Sequence, residues 1–201
     1  MNFKKTKRLG IFGGTFDPIH HAHLNIAFQA FKHLKLNQVL FIPCGIPTHK
    51  ENAHAKKNQR LKMLRLALKN NPFFKICDFE LKKKTPSFTI ETLEYLRLFY
   101  SIKETEFFWI IGADAFNQIK TWHRWNDLFN LSNFALFPRP EFSLNNLELE
   151  KEKMEKIIYI PITPQTTSST QIRENIKNGK TANLEINKQV EKYIFGNEIY
   201  F

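Results

Sequence analysis

Short apolar runs alternate along the chain with longer segments in which apolar residues recur every third or fourth position. Leu9–Phe12, Val39–Ile42, Phe74–Cys77, Phe107–Ile111, Phe134–Phe137 and Ile157–Ile160 have the length and continuity of buried strands. Between the first two, Leu24, Ala27, Phe28, Phe31 and Leu34 line one face of a helix, which completes a β-α-β unit. Asn58–Leu68 and Thr89–Leu98 repeat that behaviour, each ahead of another apolar run. Further on, a helical stretch ends at Gly179, placed as a left-handed C-cap, and Leu184–Phe195 supplies a last helix. The pattern predicts an α/β fold: a doubly wound, mostly parallel sheet with helices on both faces, in a single domain over residues 1–201. The polar segment Asn145–Lys156 is expected to be a surface excursion, and Lys82-Lys83-Lys84 a solvated turn before a helix.

Composition narrows the class. A chain of 201 residues, 42% of them hydrophobic, can bury one substantial core. Lys and Arg number 30 against 19 Asp and Glu, a net charge of +11, so the molecule carries a field that attracts anions. Nucleic acid, anionic lipid and phosphorylated metabolites all answer to that field. The sequence has no zinc-finger spacing, RNP-like run or basic helix, which argues against nucleic acid. Cys44 and Cys77 form no C-x-x-C, so a reduced, intracellular protein is expected rather than a zinc ribbon or a thioredoxin-like site. After Lys4, Lys5, Lys7 and Arg8, Leu9, Ile11 and Phe12 are followed at once by Gly13-Gly14, too short a run for an export signal. No stretch approaches the roughly 18 apolar residues of a membrane span. A cytoplasmic location follows as the expectation.

The first apolar run leads into Gly13-Gly14-Thr15-Phe16-Asp17-Pro18-Ile19-His20-His21-Ala22-His23. Two residues without Cβ let a backbone turn sharply and approach phosphates closely. His20 and His23, three apart, share one face of the first helical turn, where the helix dipole favours an anion. A ligand-free tight turn would use the same glycines. A zinc site would need further ligands at metal spacing, and none is present. Thr167-Ser168-Ser169-Thr170-Gln171-Ile172-Arg173 offers a second anion site: Ser168 or Ser169 caps a helix, and Arg173 lies one turn in. By itself this is equally an ordinary capped helix. In the middle of the chain, Lys50 follows a strand and a proline-shaped loop, Ser87 or Thr89 begins a helix, and Gly112 and Asp114 end a strand. Trp122 and Trp125 either stack on a flat ring or pack as core or hinge.

The segment Gly13–His23 resembles the H-x-G-H signature of the nucleotidyltransferase superfamily, with Ala22 in the usual glycine position. Thr167–Arg173 resembles its I-S-S-T-x-I-R signature, with Thr167 in place of isoleucine. With P-x-x-x-P-x-H-K, P-S-F-T, I-G-A-D and T-W-x-x-W between them, nearly the whole chain is similar to the nicotinate-nucleotide adenylyltransferase family. The resemblance implies adenylyl transfer from ATP to nicotinate mononucleotide with release of pyrophosphate, in NAD biosynthesis. It implies catalytic roles for His20, His23 and Arg173, and an ATP site framed by Gly13, Gly14, Thr15, Phe16, Ser168, Ser169 and Thr170. Lys50, Thr89, Gly112, Asp114 and Trp122 would hold the nicotinate nucleotide, and the region from about residue 165 onward would close over ATP. Mg²⁺ would accompany the ATP phosphates without a ligand from the protein. The implied partners are these two nucleotides, with no nucleic acid and no membrane, and a homo-oligomer is compatible with the pattern. Phosphopantetheine adenylyltransferase, which shares the first motif, and a non-catalytic nucleotide-binding protein are the competing expectations.

Overall fold

Alternate residues of the four central strands enter two different apolar cores, which is why those runs read as continuously hydrophobic. Phe12, Val39, Phe41, Phe108, Ile110, Ala135 and Phe137 belong to one core, and Leu9, Ile11, Leu40, Ile42, Phe107, Trp109, Ile111, Phe134 and Leu136 to the other. The computed structural model describes residues 7–47, 53–101, 103–138, 148–163, 167–180 and 184–201. Its strands are β1 (Lys7–Gly14), β2 (Gln38–Pro43), β3 (Phe74–Ile76), β4 (Thr105–Gly112), β5 (Asn133–Phe137) and β6 (Ile157–Tyr159). They form one sheet in the order β3-β2-β1-β4-β5-β6, and every pairing is parallel. All six predicted strands are present within a residue or two at most ends.

Helices cover both faces. On the first core lie α1 (His21–His33), α2 (Lys57–Leu68), α8 (Ser169–Lys177) and α9 (Lys188–Gly196), through residues such as Ala27, Met63, Ile172 and Ile194. On the second lie α4 (Thr89–Arg97), α5 (Ala113–Phe116) and α6 (Trp125–Leu131), through Leu93, Phe116 and Leu128. The doubly wound expectation holds. Two short helices, α3 (Phe79–Lys82) and α7 (Lys151–Met154), complete the described set.

Differences from the sequence reading are local. α5, α6 and a 3-10 turn at Ile119–Thr121 are too short for a helical period to declare itself. The last helix begins at Lys188 rather than Leu184, because the Asn187 side chain accepts from Gln189 N at 2.8 Å and starts the helix there. Leu184 and Ile186 are buried ahead of it as core residues of a loop. Lys83 is less solvated than a charge run suggests: its ammonium donates to the Pro86 carbonyl at 2.9 Å and pairs with Glu91, which fixes the turn into α4. Gly179, at φ +69, ends α8 as expected, and Gly179 N and Lys180 N donate back to the Ile176 and Asn175 carbonyls.

Arg60, on α2, is 1% exposed and lies beneath the sheet's carboxyl edge. Its Nη1 donates to the Thr15 carbonyl at 2.7 Å and its Nη2 to the Cys44 carbonyl at 2.8 Å, so one guanidinium ties together the loops that leave β1 and β2. Burial lowers its pKa, an effect opposed by the nearby Asp17 carboxylate. Replacing it by methionine keeps much of the volume and strands two partly buried carbonyls. Arg60→Met is expected to cost about 2–4 kcal/mol in urea unfolding followed by circular dichroism. A loss under about 1 kcal/mol would mean that water can replace the guanidinium.

Candidate active site

β1 delivers the chain to the sheet's carboxyl edge at Gly13 and Gly14, beside the reversal of strand order between β1 and β4. A Cβ on Gly13 would stand 2.9 Å from the Trp109 ring, so only glycine lets the indole pack against the backbone there. The loop then passes Phe16, whose backbone has φ 50, in the left-handed region that costs a non-glycine residue energy. Its ring is buried among Phe12, Phe41 and the edge of His23, with centroids 5.7, 5.7 and 5.2 Å away. Phe16 therefore supports the histidine from the core.

His20 is the N-cap of α1, 5% exposed, and His23 occupies the third helical position. The two rings lie 3.7 Å apart between centroids. His20 N donates to His23 Nδ1 at 3.3 Å. With Nδ1 an acceptor, the proton of His23 sits on Nε2, and that nitrogen is a donor. His21 faces the other way: its amide donates to the Glu185 carbonyl at 2.8 Å and its ring lies 3.5 Å from the Glu185 carboxylate. Ala22, buried at 4%, lines the cleft at the first turn of α1.

α8 meets this loop from the opposite side. Ser168 is its N-cap, with the hydroxyl accepting from Gln171 N at 3.2 Å. Ser169 Oγ donates to the Pro18 carbonyl at 3.0 Å, and Arg173 Nη1 donates to the Asp17 carbonyl at 2.8 Å. Arg173 Nη2 donates to Thr170 Oγ1 at 3.2 Å, which holds the guanidinium against its own helix. Two helix N-termini thus converge on one loop, the arrangement that binds anions.

The cleft so formed has a volume of about 920 Å³ and runs from Ser168 and Arg173 past the histidines to Thr89, Asp114 and Trp122. Gly13, Gly14, Thr15, Phe16, His20, His23, Thr89, Gly112, Asp114, Trp122, Ser168, Ser169, Thr170 and Arg173 all line it. Lys50 lies outside the described residues. A Cβ on Gly112 would be 2.3 Å from Asp114 Oδ1, so the carboxylate folds over the glycine into that space. Trp122 is partly buried on the second core, and its neighbour His123 lies over Phe88 at 4.8 Å. Arg124, at φ 51, is held by Glu94 and Asp127, each at 2.8 Å, which anchors the Trp122–Trp125 turn to α4.

Sequence reasoning missed a buried polar layer under the cleft. Ser87 does not cap α4; its hydroxyl accepts from Gly45 N at 3.1 Å and joins the β2 loop to the α4 start. Glu80, 5% exposed, accepts from Thr92 Oγ1 at 2.7 Å, and burial raises its pKa. A Cβ on Gly45 would be 2.1 Å from the Glu80 carbonyl, so glycine is required at this crossing. Asp17, 3% exposed, accepts from His54 N at 2.7 Å, Ala55 N at 3.1 Å and the Tyr200 hydroxyl at 2.6 Å. These partners are 12 to 183 residues apart in sequence, so no local motif signals them.

This cleft, at the strand reversal of a doubly wound sheet, is that of an α/β nucleotidyltransferase, and the sequence profile of the cytidylyltransferase-like family matches residues 11–175. A probable nicotinate-nucleotide adenylyltransferase of Clostridium botulinum is 40% identical over 96% of this chain and 98% of its own. Another, of Shewanella pealeana, is 34% identical over 96% and 95%. The chain belongs to the nicotinate-nucleotide adenylyltransferase family. Its fold also matches the Plasmodium falciparum nicotinic acid mononucleotide adenylyltransferase complexed with NaAD, at a TM-score of 0.73 and 20% identity over 96% of this chain and 97% of that one. Among the described residues no helix is long and apolar enough to cross a membrane.

Burial, followed by the Glu80 charge, pushes the Cys44 thiol up to about 11. Its thiolate fraction at pH 8 is therefore small, and iodoacetamide is expected to label Cys44 at pH 8 roughly 100-fold more slowly in the folded protein than in urea. Peptide mapping by mass spectrometry separates it from Cys77. Labelling at the unfolded rate would show an open, normally ionising thiol.

Proposed function

We propose that this chain transfers the adenylyl group of ATP to nicotinate mononucleotide, giving nicotinate adenine dinucleotide and pyrophosphate, in the cytoplasm. The observation that carries the reading is the single cleft with the His20–His23 pair and the α8 cap at one end and Thr89, Asp114 and Trp122 at the other. That span suits two nucleotides laid end to end with the reacting phosphates over the histidines.

The nucleophile is the acceptor's own 5′-phosphate, already an anion, so the reaction needs no general base. It attacks the α-phosphorus of ATP in line with the departing pyrophosphate. The oxygen–phosphorus bond to the acceptor forms as the α–β bridging bond breaks, and the negative charge leaves on pyrophosphate. Catalysis consists of alignment and of donors placed where that charge grows. His23 Nε2–H and His20 serve the α-phosphate region, while Arg173 and the amides at the start of α8 serve the β and γ phosphates. The backbone at Gly13, Gly14, Thr15 and Phe16 frames the triphosphate, and α8 with the segment after it closes over it. Lys50 holds the acceptor nucleotide, and Trp122 stacks on its pyridine.

Mg²⁺ carried by the triphosphate would supply neutralisation of the charge that grows on the pyrophosphate oxygens. Asp17, the acid within the loop Thr15–Pro18, has both carboxylate oxygens engaged by protein donors, so the ion would be suited to the phosphates themselves.

Purified protein with ATP and Mg²⁺ is expected to release pyrophosphate with nicotinate mononucleotide in preference to nicotinamide mononucleotide or phosphopantetheine. Turnover with phosphopantetheine alone would keep the histidine chemistry and reject the assignment of the Trp122 end. His23→Ala is expected to lower kcat at least ~100-fold, the scale of one preorganised donor. Its cost in stability should stay near ~1 kcal/mol, the scale of a capping contact, in thermal unfolding. A near-wild-type rate in that variant would sink the histidine assignment.

A further inference from the structure

The loop Thr15–Pro18 has no regular structure of its own, and its shape is set by donors from elsewhere. Arg60 takes the Thr15 carbonyl, Arg173 the Asp17 carbonyl and Ser169 the Pro18 carbonyl. The Asp17 side chain is the remaining variable. It is an anion lining a cleft read as binding polyphosphate, where a loose carboxylate would repel the substrate. Two of its donors are the amides of His54 and Ala55, ahead of α2. The third is the phenol of Tyr200, at 2.6 Å, beyond the end of α9.

We infer that Tyr200 is a positioning residue for ATP, acting through Asp17 to hold the phosphate loop in its binding shape and to keep the carboxylate turned from the phosphates. This rests on the adenylyl-transfer reading above. Tyr200 is not among the residues that line the cleft, and its hydroxyl reaches the cleft through Asp17, its partner at 2.6 Å. Its backbone has φ 73, and Glu198 two residues earlier has φ 48. Two left-handed non-glycine residues within three positions cost energy, and the surrounding contacts hold them where the phenol meets Asp17. Burial, with the Asp17 charge next, raises the phenol's pKa, so the hydroxyl stays a donor at any working pH.

Tyr200→Phe in the full chain removes the hydroxyl and keeps the ring. The expected result is a rise of roughly ten-fold in KM for ATP, the scale of losing one hydrogen bond to a charged group, with KM for nicotinate mononucleotide within about two-fold of wild type. Isothermal titration of ATP alone should show the same weakening without turnover. Unchanged ATP affinity overturns the inference. So does a parallel loss for both nucleotides together with a lowered Tm, which marks a merely structural tyrosine. A wild type that binds ATP without adenylating nicotinate mononucleotide defeats the functional reading, while the titration still decides the role of Tyr200.

Discussion

The site depends on the reversal of strand order at the centre of the sheet. β2 lies on one side of β1 and β4 on the other, so the chain leaving β1 and the chain leaving β4 turn to opposite faces. Their ends part at the carboxyl edge, and a crevice opens there with backbone groups on both walls. Gly13 and Gly112 mark those two walls. A single layer of helices on one face would have covered the same edge.

Keeping that crevice open requires buried polar groups, and the molecule satisfies them with a small number of charged side chains. Arg60 lies under the loops and Asp17 within one of them, and each joins segments that are distant in sequence. A buried charge is costly unless its hydrogen bonds are met, so such residues fix one loop arrangement strongly. Glu80 does the corresponding work beneath the loop that follows β2, where Gly45 passes against its carbonyl and Thr92 donates to its carboxyl. Its raised pKa favours the protonated form: as pH rises through that folded value, the carboxyl ionises in a site that disfavours charge, and stability falls.

The chemistry sits on this scaffold with little freedom. The positive charge of the whole chain attracts polyanions, and the cleft presents helix ends, two close, tilted imidazoles and one guanidinium. Arg173 illustrates the economy: one of its nitrogens secures the phosphate loop through the Asp17 carbonyl while its helix is capped by Ser168. Groups that line the cleft and groups that hold its loop share residues, so the loop geometry and the donor geometry are set together.

What the sequence by itself determined was whatever depends on period and on local backbone need. Six apolar runs became six strands because strands buried on both faces are continuously apolar, and Ser168 and Gly179 bound α8 because a helix must satisfy its own ends. His20 and His23 were legible as one face of a helix turn and Ser168 or Ser169 as a cap with Arg173 one turn in, while Thr170 was singled out only through the resemblance to the family. Short helices such as α5 and α6 escaped notice, since one or two turns carry no period. Only the tertiary structure decided that Ser87 ties down Gly45 rather than capping α4, that Phe16 is a core ring, and that Arg60, Glu80 and Tyr200 matter at all. Their partners lie far along the chain, and a hydrogen bond between remote segments leaves no trace in the spacing of either one.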